Sequence, residues 1–200
     1  MMSHSPLSLN RIAVYCGCAE GADPAYGRAA YEFGQLLGQE GIGLVYGAGN
    51  IGLMGRVAAG VLDQKGEVIG VIPRDLVEKE LALDDVSELV ITETMHERKQ
   101  KMADLSDGYV ALPGGFGTLD EWFEILTWRQ LGIHFKPCGI LNTNHFYDPL
   151  RSLIDHQVRQ GFVHHAYRDD LLIAEDGRRL IEQMRSFQPS LVEKWMSGNQ

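Results

Sequence analysis

Apolar residues fall along this chain in two kinds of run, and their alternation points to the fold. Short continuous stretches, RIAVYC (11–16), IGLVY (42–46), EVIGVIP (67–73), ELVIT (88–92), GYVAL (108–112), CGILN (138–142) and DLLIAE (170–175), have the length and flanking turn residues of strands. They lack polar alternation, the pattern of strands covered on both faces. Helical patterns lie between them. Asp23 followed by Pro24 reads as an N-cap and first helical position, after which Tyr26, Ala29, Ala30, Phe33, Leu36 and Leu37 keep helical spacing until Gly41. A glycine-rich turn, GAGNIGLMG (47–55), leads into RVAAGVLDQKG. Further helices are expected over MHERKQKMADL (95–105), from LPGGFGTLDEW (112–122) to about Gly132, near DPLRSLIDHQVRQ (148–160), and in two stretches of the last segment. This order predicts an α/β fold with a doubly wound, mostly parallel sheet and helices on both faces. Its ligand is expected beyond the carboxyl ends of the strands.

Length and composition narrow the picture. At 200 residues and 44% hydrophobic content the chain can bury a core of one ordinary domain. We expect a single domain over 11–190, between a flexible segment (1–10) and a tail (191–200). The formal charge of −9 gives no electrostatic footprint for nucleic acid or an anionic membrane, so a small molecule is the expected partner. No basic segment precedes an apolar run at the amino end and no stretch of about 18 apolar residues occurs, so a cytoplasmic location is expected. Cys16, Cys18 and Cys138 show neither disulfide nor zinc spacing, and the histidines are scattered, so no metal is expected.

Three turns carry the candidate chemistry. The first, CGCAEGADP, holds Gly17 and Cys18. The second contains Gly47, Gly49, Gly52 and Gly55; its G-x-G-x-x-G core follows the second strand rather than the first, and no acid ends the third strand, so no dinucleotide cofactor is expected. Gly52 and Gly55 also suit close helix packing. In the third, Gly114, Gly115 and Gly117 let main-chain N–H groups approach an anion at the start of a helix, and Thr118 adds a hydroxyl donor. No G-K-[ST] follows, so this is not a triphosphate loop. Glu121 lies about 60° around the helix from Thr118 and Asp120 about 160°, so Glu121 shares the ligand face. A plain helix-dipole role fits Glu121 equally well, and Asp120 suits the helix start or a surface pair. In MHERKQKM, Arg98 can grip a phosphate, sugar or base, Lys101 reads as a solvated face, and Met95 either packs or touches a base.

These residues closely resemble the Lonely Guy family of cytokinin riboside 5'-monophosphate phosphoribohydrolases. Its P-G-G-x-G-T-x-x-E pattern stands at Pro113, Gly114, Gly115, Phe116, Gly117, Thr118, Leu119, Asp120 and Glu121. Its M-H-x-R-K pattern stands in MHERK, its glycine turn in YGAGNIGLMG, and later segments in LTWRQLGIHFKP and FYDPLRSLIDHQVRQGF. The resemblance implies a Rossmann-like homodimer that cleaves the N-glycosidic bond of an adenine nucleotide. It further implies catalytic roles for Arg98 and Glu121, and substrate contacts from Glu80, Lys99, Gly115 through Thr118, and Thr127. Some relatives carry a lysine decarboxylase label, but nothing in the sequence marks a pyridoxal phosphate lysine. Two departures stand out: Ala48 replaces a glycine, and Cys18 a serine whose hydroxyl is the stronger donor. A carrier or sensor of a phosphorylated ligand, like the molybdenum-cofactor carriers, and a nucleotide phosphorylase are the competing readings.

Overall fold

All seven apolar runs become strands in the computed structural model, which describes residues 7–77 and 86–190: β1 (Arg11–Tyr15), β2 (Gly43–Tyr46), β3 (Val68–Pro73), β4 (Glu88–Thr92), β5 (Gly108–Ala111), β6 (Cys138–Leu141) and β7 (Leu171–Ala174). They form one sheet in the order β4-β3-β2-β1-β5-β6-β7, and every pairing is parallel. The helices are α1 (Pro24–Gln39), α2 (Gly52–Asp63), α3 (Arg74–Val77), α4 (Met95–Leu105), α5 (Phe116–Gln130), α6 (Asp148–Arg159), α7 (His165–Asp169) and α8 (Gly177–Arg185). The fold is a doubly wound α/β sheet.

Both faces of the central strands are covered, which explains their unbroken hydrophobicity. Ile12 and Val14 of β1 join a core layer with Phe33 and Leu37 of α1, Val57 and Val61 of α2, and Leu180 and Met184 of α8. Ala13 and Tyr15 point the other way, into a layer with Met102 of α4, Trp122 and Ile125 of α5, and Ile154 of α6. The expectation of two covered faces fails at β4, where Glu88, Leu89 and Ile91 are exposed. This strand closes one edge of the sheet, so among the described residues its apolar side chains lack a second layer.

Two features position the site. From β1 the chain builds outward to β4 and then returns to β5 on the opposite side of β1, so the β1–β5 boundary is the topological switch point. The helices that follow β1 and β2 touch backbone to backbone: a Cβ on Gly34 of α1 would lie 2.1 Å from the Val57 carbonyl oxygen, and one on Gly60 of α2 would lie 2.1 Å from that of Tyr31. The amino end is tied down where it is described: Leu7 N–H donates to the Arg185 carbonyl (2.9 Å) and Asn10 N–H to Asp107 (2.8 Å).

Boundaries differ from expectation mainly where glycine obscures them. α2 begins at Gly52, inside the stretch read as a turn, and two short elements had no signal: α3 and the 3₁₀ turn Thr143–His145. Among the described residues, no helix is long and apolar enough to cross a membrane.

Candidate active site

The three glycine-bearing turns converge at the switch point. Gly17, beyond β1, donates its N–H to the Pro113 carbonyl (3.0 Å) beyond β5, and its own carbonyl accepts from Leu53 N–H (3.1 Å) at the start of α2. Gly52 packs on the Cys18 backbone, where a Cβ would come within 2.3 Å, and a Cβ on Gly55 would come within 2.2 Å of the Asn50 carbonyl oxygen. Their glycines therefore serve packing, one of the two roles the sequence left open.

Gly115 and Gly117 differ in kind. A Cβ on either would meet nothing within 4 Å, so the fold itself does not demand a bare backbone there. Gly115 is the N-cap of α5 and offers no side-chain acceptor, whereas α1, α4 and α8 are capped by Asp23, Thr94 and Asp176. Among the described residues, the first N–H groups of α5 thus lack the usual side-chain partner, at the positive end of a helix of 15 residues, the arrangement that receives an anion. Thr118 is buried and its hydroxyl lies over Gly114, where a Cβ would come within 2.1 Å.

Glu121 stands one turn further along α5. Its side chain is 14% exposed, against 63% for Asp120, which confirms the helical separation of the two acids. Burial pushes the Glu121 carboxyl up to about 7, against the opposing pull of Arg98 and Lys99. Asp120 pairs instead with Lys99 Nζ at 2.8 Å, and Glu124 lies 3.4 Å from the same nitrogen, so Lys99 joins α4 to α5. Burial draws the Lys99 pKa down, but these carboxylates more than offset it and hold the ammonium charged.

Arg98 comes from α4, whose start is built by a capping arrangement: Thr94 accepts from Glu97 N–H (3.1 Å), and the Glu97 carboxylate from Glu93 N–H (2.9 Å). The Arg98 side chain is only 9% exposed. Its Nη2 lies 3.4 Å from the Gly47 carbonyl oxygen and 3.8 Å from Glu121 Oε1, its Nη1 lies 3.5 Å from Met95 Sδ, and its Nε has no partner among the described residues. A buried guanidinium with donor capacity unspent is an anion or carbonyl receptor in waiting. Gly47 makes room for it, since a Cβ there would lie 1.9 Å from Nη2.

Contacts thus link Gly17 to Gly114, Cys18 to Gly52, Thr118 to Gly114, and Arg98 to Gly47, Met95 and Glu121, with Gly115, Phe116 and Gly117 at the start of the same α5, and the crevice expected at the switch point lies between these turns. Gly49 packs against Met54, which also lies beside Gly47, Phe116 is 94% exposed, and Cys18 is exposed. Thr127 does not join them. It lies two turns further along α5, donates its hydroxyl to the Phe123 carbonyl (2.7 Å) and lines a separate cavity of about 180 Å³ with Gln157 and Tyr167. Glu80 falls outside the described residues. A cavity of about 400 Å³ between α1 and the start of α8 is lined by Glu32, Glu175 and Asp176 against Arg178, a poor match to phosphate. Three features gave no local signal in the sequence: the unpartnered Arg98 nitrogen, the Gly47 clearance, and the left-handed backbone of Ala48 (φ 64).

Residues 54–184 match the family model described as "possible lysine decarboxylase". A Schiff-base lysine must lose its proton, but Lys99, the lysine next to Arg98 on α4, is held charged by two carboxylates. The cytokinin riboside 5'-monophosphate phosphoribohydrolase LOG of Oryza sativa subsp. japonica is 47% identical over 90% of this chain and 74% of its own. LOG3 of Arabidopsis thaliana is 43% identical over 90% and 83%. Among solved structures, the molybdenum cofactor binding protein of Rippkaea orientalis superposes with a TM-score of 0.67 at 25% identity, over 90% of this chain and 98% of that one. The Moco carrier protein of Chlamydomonas reinhardtii gives 0.66 at 20% identity, over 90% and 99%, a likeness of fold alone. With a family model matched over residues 54–184 and relatives 43–47% identical over 90% of its length, this chain belongs to the family of cytokinin riboside 5'-monophosphate phosphoribohydrolases.

Proposed function

We propose that this protein hydrolyses the N-glycosidic bond of an adenine-type nucleoside 5'-monophosphate, cytokinin riboside 5'-monophosphate or AMP, to the free base and ribose 5-phosphate. The observation that carries the reading is Glu121: a buried acid one helical turn beyond an uncapped, glycine-opened helix start, with Arg98 Nη2 3.8 Å away. A carrier needs the anion grip but has no use for a costly buried acid beside it.

In this mechanism the N–H groups at the start of α5 and the Thr118 hydroxyl hold the 5'-phosphate. That remote grip fixes the scissile bond against Glu121. As the bond from C1' to the base breaks, its electron pair leaves with the base and positive charge builds on the ribose. The ionised Glu121 stabilises that charge and orients water, whose oxygen bonds to C1' as one of its protons is lost to solvent, while the departing base takes up a proton from solvent and leaves as the free base. Arg98, permanently charged, orients the substrate rather than moving protons. The Lys99 charge favours the ionised form of Glu121 and its ion pairs hold α5 in register with α4.

The finer reading is a cytoplasmic homodimer, with residues 11–190 as one catalytic domain that needs no cofactor. Exposed Phe116, Ile133 and Phe135 support a second copy as partner, and light scattering on the purified protein tests it. Incubation with AMP, with and without inorganic phosphate, tests the chemistry. Adenine plus ribose 5-phosphate supports hydrolysis; ribose 1,5-bisphosphate would establish a phosphorylase, and unchanged AMP a carrier.

A further inference from the structure

The peptide that enters the anion-binding turn has an unusual need. It joins Leu112 to Pro113, and proline has no N–H, so the Leu112 carbonyl is its only hydrogen-bonding group. That oxygen accepts the Tyr147 hydroxyl at 2.7 Å. The next peptide is held at its carbonyl too, by Gly17 N–H on Pro113 O (3.0 Å). In a planar trans peptide the N–H points opposite to the C=O, so anchoring the Pro113 carbonyl inward turns the Gly114 N–H outward.

Tyr147 is itself rigidly mounted. It is buried, its ring meets Phe146 edge-on at 4.9 Å, and its N–H donates to Asn142 Oδ1 (2.7 Å). Asn142 is fixed in turn by Asp148 Oδ1 (2.9 Å) and by its own N–H on the Ala174 carbonyl (2.7 Å). The hydroxyl thus ties the glycine turn to the ends of β6 and β7.

We propose that Tyr147 is a positioning residue for phosphate binding: its hydroxyl sets the aim of the main-chain donors at the start of α5. This rests on the nucleotide reading of the site and adds a part to it. The side chain makes no contact with substrate and acts through the Leu112–Pro113 peptide.

Tyr147→Phe removes one hydroxyl and keeps the ring. Calorimetric titration with ribose 5-phosphate should show affinity about 10-fold weaker, the loss expected for one well-made hydrogen bond. The KM for AMP should rise by a similar factor with kcat within about threefold, and kcat/KM for adenosine, which has no phosphate, should not move. Tyr31→Phe, which loses a hydroxyl between α1 and α2 bonded to Asp63, should change none of these. A merely structural role would lower kcat for both substrates together and spare the affinity for ribose 5-phosphate; that result, or unchanged affinity in a folded variant, overturns the proposal. Should Tyr147→Phe not fold, Asp148→Ala, at the half-exposed end of the network, should weaken ribose 5-phosphate about threefold, and no change there overturns it equally. A wild-type protein that binds ribose 5-phosphate without cleaving AMP would sink the hydrolase reading, while the titrations would still decide the role of Tyr147.

Discussion

The Arg98 guanidinium lies over Gly47, its Nη2 3.4 Å from the Gly47 carbonyl oxygen, across 51 positions of sequence. A methyl group on Gly47 would sit 1.9 Å from that nitrogen, so Gly47→Ala should push Arg98 off its line to Glu121. Displacement of a positioning group by about 1 Å costs on the order of 100-fold in kcat/KM. AMP hydrolysis measured beside circular dichroism should show this loss with the fold kept. Near-normal turnover would mean that the orientation of Arg98 is not needed.

Glu121 joins activity to instability. Its carboxyl, raised by burial to about 7, is protonated in the folded chain at pH 5 to 6 and ionised in the unfolded one. The folded state therefore holds the extra proton, and the stability it gives is present below about pH 4.5 and lost as pH rises through 7. At 1.36 kcal/mol per pKa unit the loss is about 3 kcal/mol. Glu121→Gln should lower kcat by about 1,000-fold and raise stability at pH 8, with little stability change at pH 5. Urea unfolding at both pH values checks the second outcome. If the variant is no more stable than the wild type at pH 8, the burial of this acid carries no cost.

The same ionisation sets the pH profile. If the ionised carboxylate does the work, kcat/KM for AMP should rise tenfold per pH unit below about 7 and level off above it. A flat profile between pH 5 and 8 would count against Glu121 as the group that must lose a proton.

Ala48 sits in the left-handed region, with φ 64, and is fully buried. That conformation costs an L-residue about 1 to 2 kcal/mol, which glycine escapes, while glycine loses about 0.5 to 1 kcal/mol more in chain entropy on folding. Ala48→Gly should therefore raise Tm by about 1 to 4 °C with activity retained. Scanning calorimetry gives the sign directly, and a lowered Tm would show that the methyl packing near Gly70 outweighs the strain.

Of the three free cysteines, Cys16 and Cys138 are buried and Cys18 is exposed in the crevice. A thiol reagent should modify one cysteine in the native protein, and AMP should slow the reaction. Cys18→Ser should abolish this labelling. Equal labelling with and without AMP would place the nucleotide away from the first turn.

Local patterns carried much of this fold. Seven strands and the full extent of α4 are legible because apolar runs, caps and glycine stops act within a few residues. The covering of a strand is not local: ELVIT reads like the other strands, yet β4 lies at the sheet edge with Leu89 and Ile91 exposed. The separation of Glu121 from Asp120 followed from helix geometry alone. The pairing of Lys99 with Asp120 and Glu124 did not, because it depends on how α4 and α5 pack. Nor could spacing tell why each glycine is there: Gly47 clears a path for a distant arginine, Gly52 packs on another loop, and Gly115 faces open space.

The contact of α1 and α2 through Gly34 and Gly60 reaches beyond their own stability. These helices begin where the first two turns end, so the near-touching main chains make both loops parts of a single stiff bracket. The crevice can then respond to a ligand chiefly at its other wall, where α5 begins. A bulky residue at Gly34 or Gly60 would splay that bracket and spoil catalysis from the far end of a lever, with every reacting group still in the chain.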